Sequence, residues 1–80
     1  MTTEEVTQKL ESVFQDVFQK NNLTITREMT AQDVEQWDSL RHIQLIGAVE
    51  TFFQIKFKLR EVLSMKNVGD LIDLIHSKRP

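Results

Sequence analysis

Asp38-Ser39-Leu40 is the tripeptide whose residue types and position best fit a chemical modification. The residues before it lack helical periodicity and those after it are amphipathic, so we expect Ser39 in the first turn of a helix. A serine there holds its hydroxyl in solvent beside backbone N–H groups that have no partner within the helix. A phosphate ester on this hydroxyl would lie in the favourable field of the helix N-terminus. The position therefore predicts a phosphodiester site at Ser39, with a plain N-cap at Asp38 or Ser39 as the alternative.

Ser39 and His42 offer a second possibility, a hydrolytic dyad, because they lie three residues apart on one helix. Such a pair also needs an orienting acid and an oxyanion hole, and solvated histidines are common on helices, so we do not favour this interpretation. His76 falls in the last turn of a helix, where a cation suits the dipole. The histidines and carboxylates show no metal-ligand spacing, so we expect no metal site. The chain has no cysteine, so any thiol chemistry must come from a cofactor.

Composition and charge exclude several classes of function. The 80 residues are 40% hydrophobic and 28% charged, with a formal net charge of −2, which is typical of a small globular domain. Residues 1–38 hold three basic and eight acidic side chains, whereas residues 39–80 hold seven basic and four acidic ones. This asymmetry is too weak for a nucleic-acid-binding face. No apolar stretch reaches the length of a membrane span and the N-terminus is acidic, so we expect a cytoplasmic protein without membrane insertion.

The segment before the tripeptide is predicted as one helix and a long loop. An apolar stripe and a capping box at Thr2 and Glu5 place the first helix at about Thr3 to Lys20, with Asn21 and Asn22 as its stop. The stripe consists of Val6, Leu10, Val13, Phe14, Val17 and Phe18. Over residues 23–37 the period is lost, which predicts a loop of a length that is often functional. The residues expected to hold it to the core are Leu23, Ile25, Met29, Val34 and Trp37.

The segment after the tripeptide is predicted to form three further helices. The second helix should run to about Phe53, with a core face of Leu40, Ile43, Ile46, Val49 and Phe53. An extended piece should then lay Ile55, Phe57 and Leu59 on the core, before a short helix over about Arg60 to Ser64. Asn67 should cap the last helix, which buries Val68, Leu71, Ile72 and Ile75. We therefore expect an all-α fold, a small bundle of three main helices and one short helix, as a single monomeric domain over residues 1–80.

Three motifs together resemble the acyl carrier protein family, and the resemblance covers nearly the whole chain. They are Trp37-Asp38-Ser39-Leu40, the acidic-aromatic helix end at Glu50, Phe52 and Phe53, and Val68-Gly69-Asp70-Leu71. The resemblance implies that Ser39 receives 4′-phosphopantetheine from coenzyme A through a phosphopantetheinyl transferase. The thiol of that arm would carry acyl or aminoacyl groups as thioesters, without catalysis by the chain itself. Asp38, by charge, and Leu40, as an apolar contact, would flank the site and meet the transferase.

The residues around the motif differ from those of fatty-acid carriers. Gln36 and Trp37 stand where small residues are usual, and Arg41, His42 and Gln44 stand where acids are usual. This pattern is more similar to free-standing carriers of specialised pathways, such as amino-acid activation, polyketide-like chemistry or surface-polysaccharide modification. The expected partners are an acyl or aminoacyl ligase and a downstream transferase, bound through Arg41, His42 and Gln44. The alternative is a helical interaction module that has the carrier fold but no prosthetic group.

The resemblance also bears on the cargo. The positions that match the family's acyl-binding space are Ile46, Val49, Phe57, Val62 and Leu71. Several carriers have alanine where this chain has Val62 and Leu71. Larger side chains leave less room in a close-packed interior, so we expect a short or polar cargo.

Overall fold

Four α-helices form the fold, in a computed structural model that describes residues 1–79. They are α1 (Thr3–Phe18), α2 (Ser39–Phe53), α3 (Leu59–Ser64) and α4 (Val68–Lys78), and no strand occurs among the described residues. The predicted all-α bundle of three main helices and one short helix is confirmed, as is the long loop between α1 and α2. Pro80, the last residue of the predicted domain, lies outside the described range.

Helix α1 begins as its sequence predicts and ends slightly earlier. The Thr2 hydroxyl accepts the Glu5 backbone N–H at 3.1 Å, and the Glu5 carboxylate accepts the Thr2 N–H at 3.1 Å, which confirms the capping box. The helix ends at Phe18 rather than Lys20, because Gln19 adopts a left-handed conformation with φ of 55°. The expected stop at Asn21 and Asn22 is therefore wrong.

The buried face of α2 differs from the predicted one at two positions. Its buried residues are Leu45, Ile46, Val49 and Phe53, whereas Leu40 and Ile43 point to solvent. From Leu40 to Val49 the predicted set advances in steps of three residues, and each such step falls about 60° short of a full helical turn. Leu40 and Ile43 therefore lie outside the arc that Leu45, Ile46 and Val49 define.

The loop between α1 and α2 is held in place at its middle by α4. The backbone N–H groups of Val68 and Gly69, at the start of α4, donate to Met29 O and Arg27 O, both at 2.8 Å. Ile25 and Val34 are buried, and the other three predicted anchors, Leu23, Met29 and Trp37, pack against the core. The prediction of a loop pinned at these five positions is confirmed.

The segment between α2 and α3 lies on the core only in part. Ile55 is buried and Phe57 is half-buried, but Leu59 is exposed and begins α3 one residue before the predicted start. Glu61 ties this short helix down: its carboxylate accepts the Lys58 N–H at 2.7 Å and pairs with the Lys78 ammonium at 3.1 Å. These two contacts, the backbone one foremost, hold the pKa of Glu61 below its usual value.

The hydrophobic core is one continuous cluster that joins α1, α2, α4 and the long loop. Its ten most completely buried side chains are Phe14, Phe53, Leu10, Leu45, Leu71, Ile72, Ile75, Val6, Val49 and Val68. Helix α3 contributes no buried residue to it. None of the helices within residues 1–79 has the length and apolar character that a bilayer crossing requires.

The two glycines give opposite predictions for substitution by alanine. Gly47 lies exposed on α2 with no atom within 4 Å of the place where a Cβ would stand, so Gly47→Ala should stabilise the helix by about 0.5–1 kcal/mol. A Cβ on Gly69 would lie 3.0 Å from Arg27 O and 3.2 Å from Arg27 Cβ. Because the Gly69 N–H binds that same oxygen, Gly69→Ala should destabilise the fold by about 1–3 kcal/mol. Thermal unfolding of the two variants measures both signs, and a higher Tm for Gly69→Ala would contradict this packing.

Candidate functional site

Ser39 is the first residue of α2, and its side chain is exposed. The residue before it, Asp38, is the N-cap: the Arg41 backbone N–H donates to Asp38 Oδ1 at 2.9 Å. Of the two capping candidates, the structure therefore uses Asp38, and the Ser39 hydroxyl has no hydrogen-bond partner among residues 1–79. The hydroxyl is consequently accessible to an incoming reagent at a helix start.

Trp37 fixes the position of this helix start. Its ring meets Phe14 edge-on with 5.3 Å between ring centroids, and its centroid lies 5.9 Å from that of Phe18, so the indole packs against α1. The indole Nε1–H donates to His42 Nδ1 at 3.1 Å, and the two rings are stacked with an angle of 24° between their planes. Trp37 thereby connects the core face of α1 with the first turn of α2.

The bond from Trp37 also defines what His42 can do. Because Nδ1 accepts from the indole, the neutral imidazole carries its proton on Nε2 and has no free lone pair for the Ser39 hydroxyl. No carboxylate within residues 1–79 forms a hydrogen bond with His42 to orient it as a base. The geometry therefore argues against the Ser39–His42 dyad.

Arg41 has a structural contact that its sequence position did not predict. Its guanidinium Nη1 donates to Val17 O in the last turn of α1 at 3.0 Å and to Gln44 Oε1 at 3.4 Å. The last turn of α1 holds no basic residue of its own, and a cation is favourable beside such carbonyl groups. Arg41 thus links the end of α1 to the start of α2, and Gln44 stays exposed beside it.

An open groove of about 570 Å³ begins at Ser39 and runs between α2, α3 and the start of α4. Trp37 and His42 form one wall beside the serine. The apolar side chains that line the remainder are Ile43, Leu59, Val62, Leu63, Met65 and Leu71, with Ala31 at the loop. The site therefore combines an accessible hydroxyl with an adjoining apolar channel.

The groove includes only part of the cargo space expected from the sequence. Val62 and Leu71 line it, but Ile46 and Val49 are buried in the core and Phe57 packs against that core. Val62 and Leu71 act as walls of an open groove and do not fill a closed cavity. The sequence analysis did not place Ile43, Leu59 and Leu63 in this groove. The sequence feature that could have indicated them is the apolar character of residues on exposed helix faces.

Four large apolar side chains around Ser39 are unusually exposed. They are Leu40 at 64%, Ile43 at 68%, Leu59 at 74% and Leu63 at 75%. Exposed apolar groups gathered at one place, unlike scattered ones, are typical of a binding surface.

No group of three or more metal-ligating side chains occurs within residues 1–79.

Comparison with known proteins identifies a structural relative of this chain. No model of a protein family matches the chain, and no curated protein sequence matches it. A solved structure does match: the solution NMR structure of the holo acyl carrier protein from Geobacter metallireducens, with a TM-score of 0.86 and 42% sequence identity. The match covers 91% of this chain and 84% of that one, and it joins a shared four-helix fold to substantial identity. This chain belongs to the acyl carrier protein family.

Proposed function

We propose that this protein is an acyl or aminoacyl carrier whose attachment residue is Ser39, where a 4′-phosphopantetheine arm is bound. The observation that supports this best is the exposed Ser39 hydroxyl at the capped start of α2, at the mouth of an apolar groove. The relative is a holo acyl carrier protein, which supports a prosthetic group of the same kind here.

The local residues fit the chemistry of attachment. In the transferase complex, Ser39 Oγ forms a bond to the phosphorus that bears the pantetheine half of coenzyme A. The pyrophosphate P–O bond breaks, the nucleotide half leaves, and the serine proton passes to a base of the transferase. The product is a phosphodiester with one negative charge, and the N-terminus of α2 stabilises an anion at this position.

The arm supplies the one group that the chain lacks, a thiol on which acyl or aminoacyl groups are carried as thioesters. The chain's own residues hold the attachment point. Asp38 caps α2, and Trp37 and Arg41 tie its first turn to α1. We propose that the chain does not catalyse a reaction itself and acts as a single-domain, cytoplasmic monomer.

We further propose that the residues around Ser39 meet the partner enzymes. Asp38 and Leu40 would contact the phosphopantetheinyl transferase, and the exposure of Leu40 supports this role. Arg41, His42 and Gln44 would contact the acyl or aminoacyl ligase and the downstream transferase. Only Glu50 is acidic between Ser39 and Arg60, so a ligase with an acidic or mixed surface fits best.

Intact-mass measurement tests the attachment. The protein is incubated with a broad-specificity phosphopantetheinyl transferase, coenzyme A and Mg²⁺, and should gain the mass of one arm. Ser39→Ala should gain nothing while remaining folded, because Asp38 and not Ser39 caps the helix and exposed substitutions change stability by about 0.5 kcal/mol or less.

Ser12→Ala, on the exposed face of α1, is the matched control and should be modified like the wild type. No mass gain on the wild type would overturn the carrier proposal. The remaining interpretation would then be the interaction module that has no prosthetic group. Labelling of unmodified Ser39 by a serine-reactive phosphonate would instead support a hydrolase.

The charge of Arg41 gives a separate prediction about the loading enzyme. Arg41→Glu should slow loading of the arm-bearing protein roughly two- to tenfold at low salt, because it reverses a charge beside the site. Arg41→Met is the control, since it also loses the bond to Val17 O but adds no negative charge.

The rates of the two variants should converge as salt rises, because added ions screen the charge but do not restore a hydrogen bond. Equal loading of the Glu and Met variants at low salt would show that Arg41 serves only to join α1 to α2.

A further inference from the structure

We infer that the cargo of this carrier is a short acyl chain that ends in an anionic group, such as a carboxylate, and that Lys66 recognises this group. The inference rests on the proposed attachment at Ser39 and specifies the substrate class. It follows from the few charged side chains in the groove and from what each of them already binds.

The walls of the groove match the methylene part of such a cargo. Ile43, Leu59, Val62, Leu63 and Leu71 line it with aliphatic surface. An acyl chain placed against these side chains removes apolar surface from water, which is favourable in proportion to the area covered. A strongly polar cargo would gain nothing from this lining.

Lys66 and Asp38 are the residues of formal charge in the lining, and Asp38 is already engaged. Asp38 lies next to Ser39 and accepts the Arg41 N–H as the N-cap of α2. His42 also lines the groove beside Ser39; with Nδ1 bound to the Trp37 indole, the neutral ring offers its Nε2–H as a donor but no formal charge. Lys66 therefore remains as the cationic group on the opposite side of the groove, between α3 and α4.

The Lys66 ammonium has no partner among residues 1–79. It forms none of the three ion pairs, which join Lys20 to Glu35, Arg27 to Asp73 and Lys78 to Glu61. Asp70 is the acid near it in sequence, but the Asp70 carboxylate accepts the Lys66 backbone N–H at 2.9 Å and lines a different depression together with Asp73.

The neighbouring start of α4 cannot supply the anion contact in place of Lys66. The Val68 and Gly69 N–H groups donate to the loop carbonyls of Met29 and Arg27, and the Asp70 N–H donates to Asn67 Oδ1 at 2.9 Å. With these backbone donors occupied, the exposed Lys66 ammonium is the cationic group left for a cargo anion at this end of the groove.

Matched cargoes that differ only in the terminal group test this inference. The transferase first loads the protein with glutaryl or pentanoyl arms from the corresponding coenzyme A thioesters, and intact mass verifies each product. At low salt, the glutaryl form should have a Tm about 2–5 °C above that of the pentanoyl form, as expected for one exposed ion pair in a domain of this size. The adipyl and hexanoyl pair repeats the comparison one methylene longer.

Fluorescence of Trp37, the single tryptophan and part of the groove wall, gives a second readout. Its spectrum should distinguish the glutaryl from the pentanoyl form. Lys66→Gln should abolish both differences, whereas Lys56→Gln, an exposed lysine outside the groove lining, should retain them.

Three results would overturn the inference. Equal Tm values for glutaryl and pentanoyl wild-type protein would remove the cargo preference. Retention of the difference in Lys66→Gln would assign it to another residue. A Tm loss in Lys66→Gln that is already complete on the unacylated arm would assign Lys66 to the phosphodiester. Absence of any arm, seen by mass before these comparisons, would instead refute the proposed function.

Discussion

The contact of Trp37 with Phe14 and Phe18 is the interaction on which the site depends. Packed aromatic rings bury a large area in a defined geometry, edge-on at Phe14 and tilted at Phe18, so this contact places the chain two residues before Ser39 against the core face of α1. The stacked His42 ring and the Arg41 bond to Val17 O hold the next helical turn to the same element. Ser39 is thus exposed without being loosely held, which suits the attachment role proposed for it.

The opposite wall of the groove has much weaker support. Helix α3 has six residues, none of them buried; the Glu61 and Lys78 ion pair ties it to α4, and Val62 packs against the core. Segments with few buried contacts open at low free-energy cost, and binding elements are commonly drawn from them. The fold therefore joins a firmly supported Ser39 to a weakly supported groove wall that carries Leu59, Leu63 and the half-buried Val62.

Local patterns in the sequence predicted much of this arrangement. The Thr2 and Glu5 capping box, the Asn67 cap and the apolar stripe of α1 act over three or four residues, and the structure confirms them. The prediction of the buried face of α2 was wrong at Leu40 and Ile43, which are exposed. Burial depends on which neighbours approach a residue, and apolar residues also occur on exposed binding faces.

The long-range contacts of the site could not be predicted from local patterns. The Arg41 bond to Val17 O joins residues 24 positions apart, and the Trp37 bond to His42 depends on how α1 supports the indole. Lys66 and Ser39 line one groove although they are far apart in the sequence, and the loop before Ser39 is fastened to the start of α4. Such pairings are set by tertiary packing, which residue spacing does not contain.

Helix α2 presents Ser39 at the mouth of the groove, and we propose that this groove receives what is attached there. Heteronuclear NMR of the uniformly ¹⁵N-labelled protein, before and after attachment of an acylated arm, tests this most directly. Shift changes should concentrate on the first turn of α2, the Trp37 indole N–H and the groove residues of α3, and amides on the far face of α1 should stay unchanged. Changes confined to Ser39 and its immediate chain neighbours, with none at Trp37 or α3, would show that the groove does not receive the attached group.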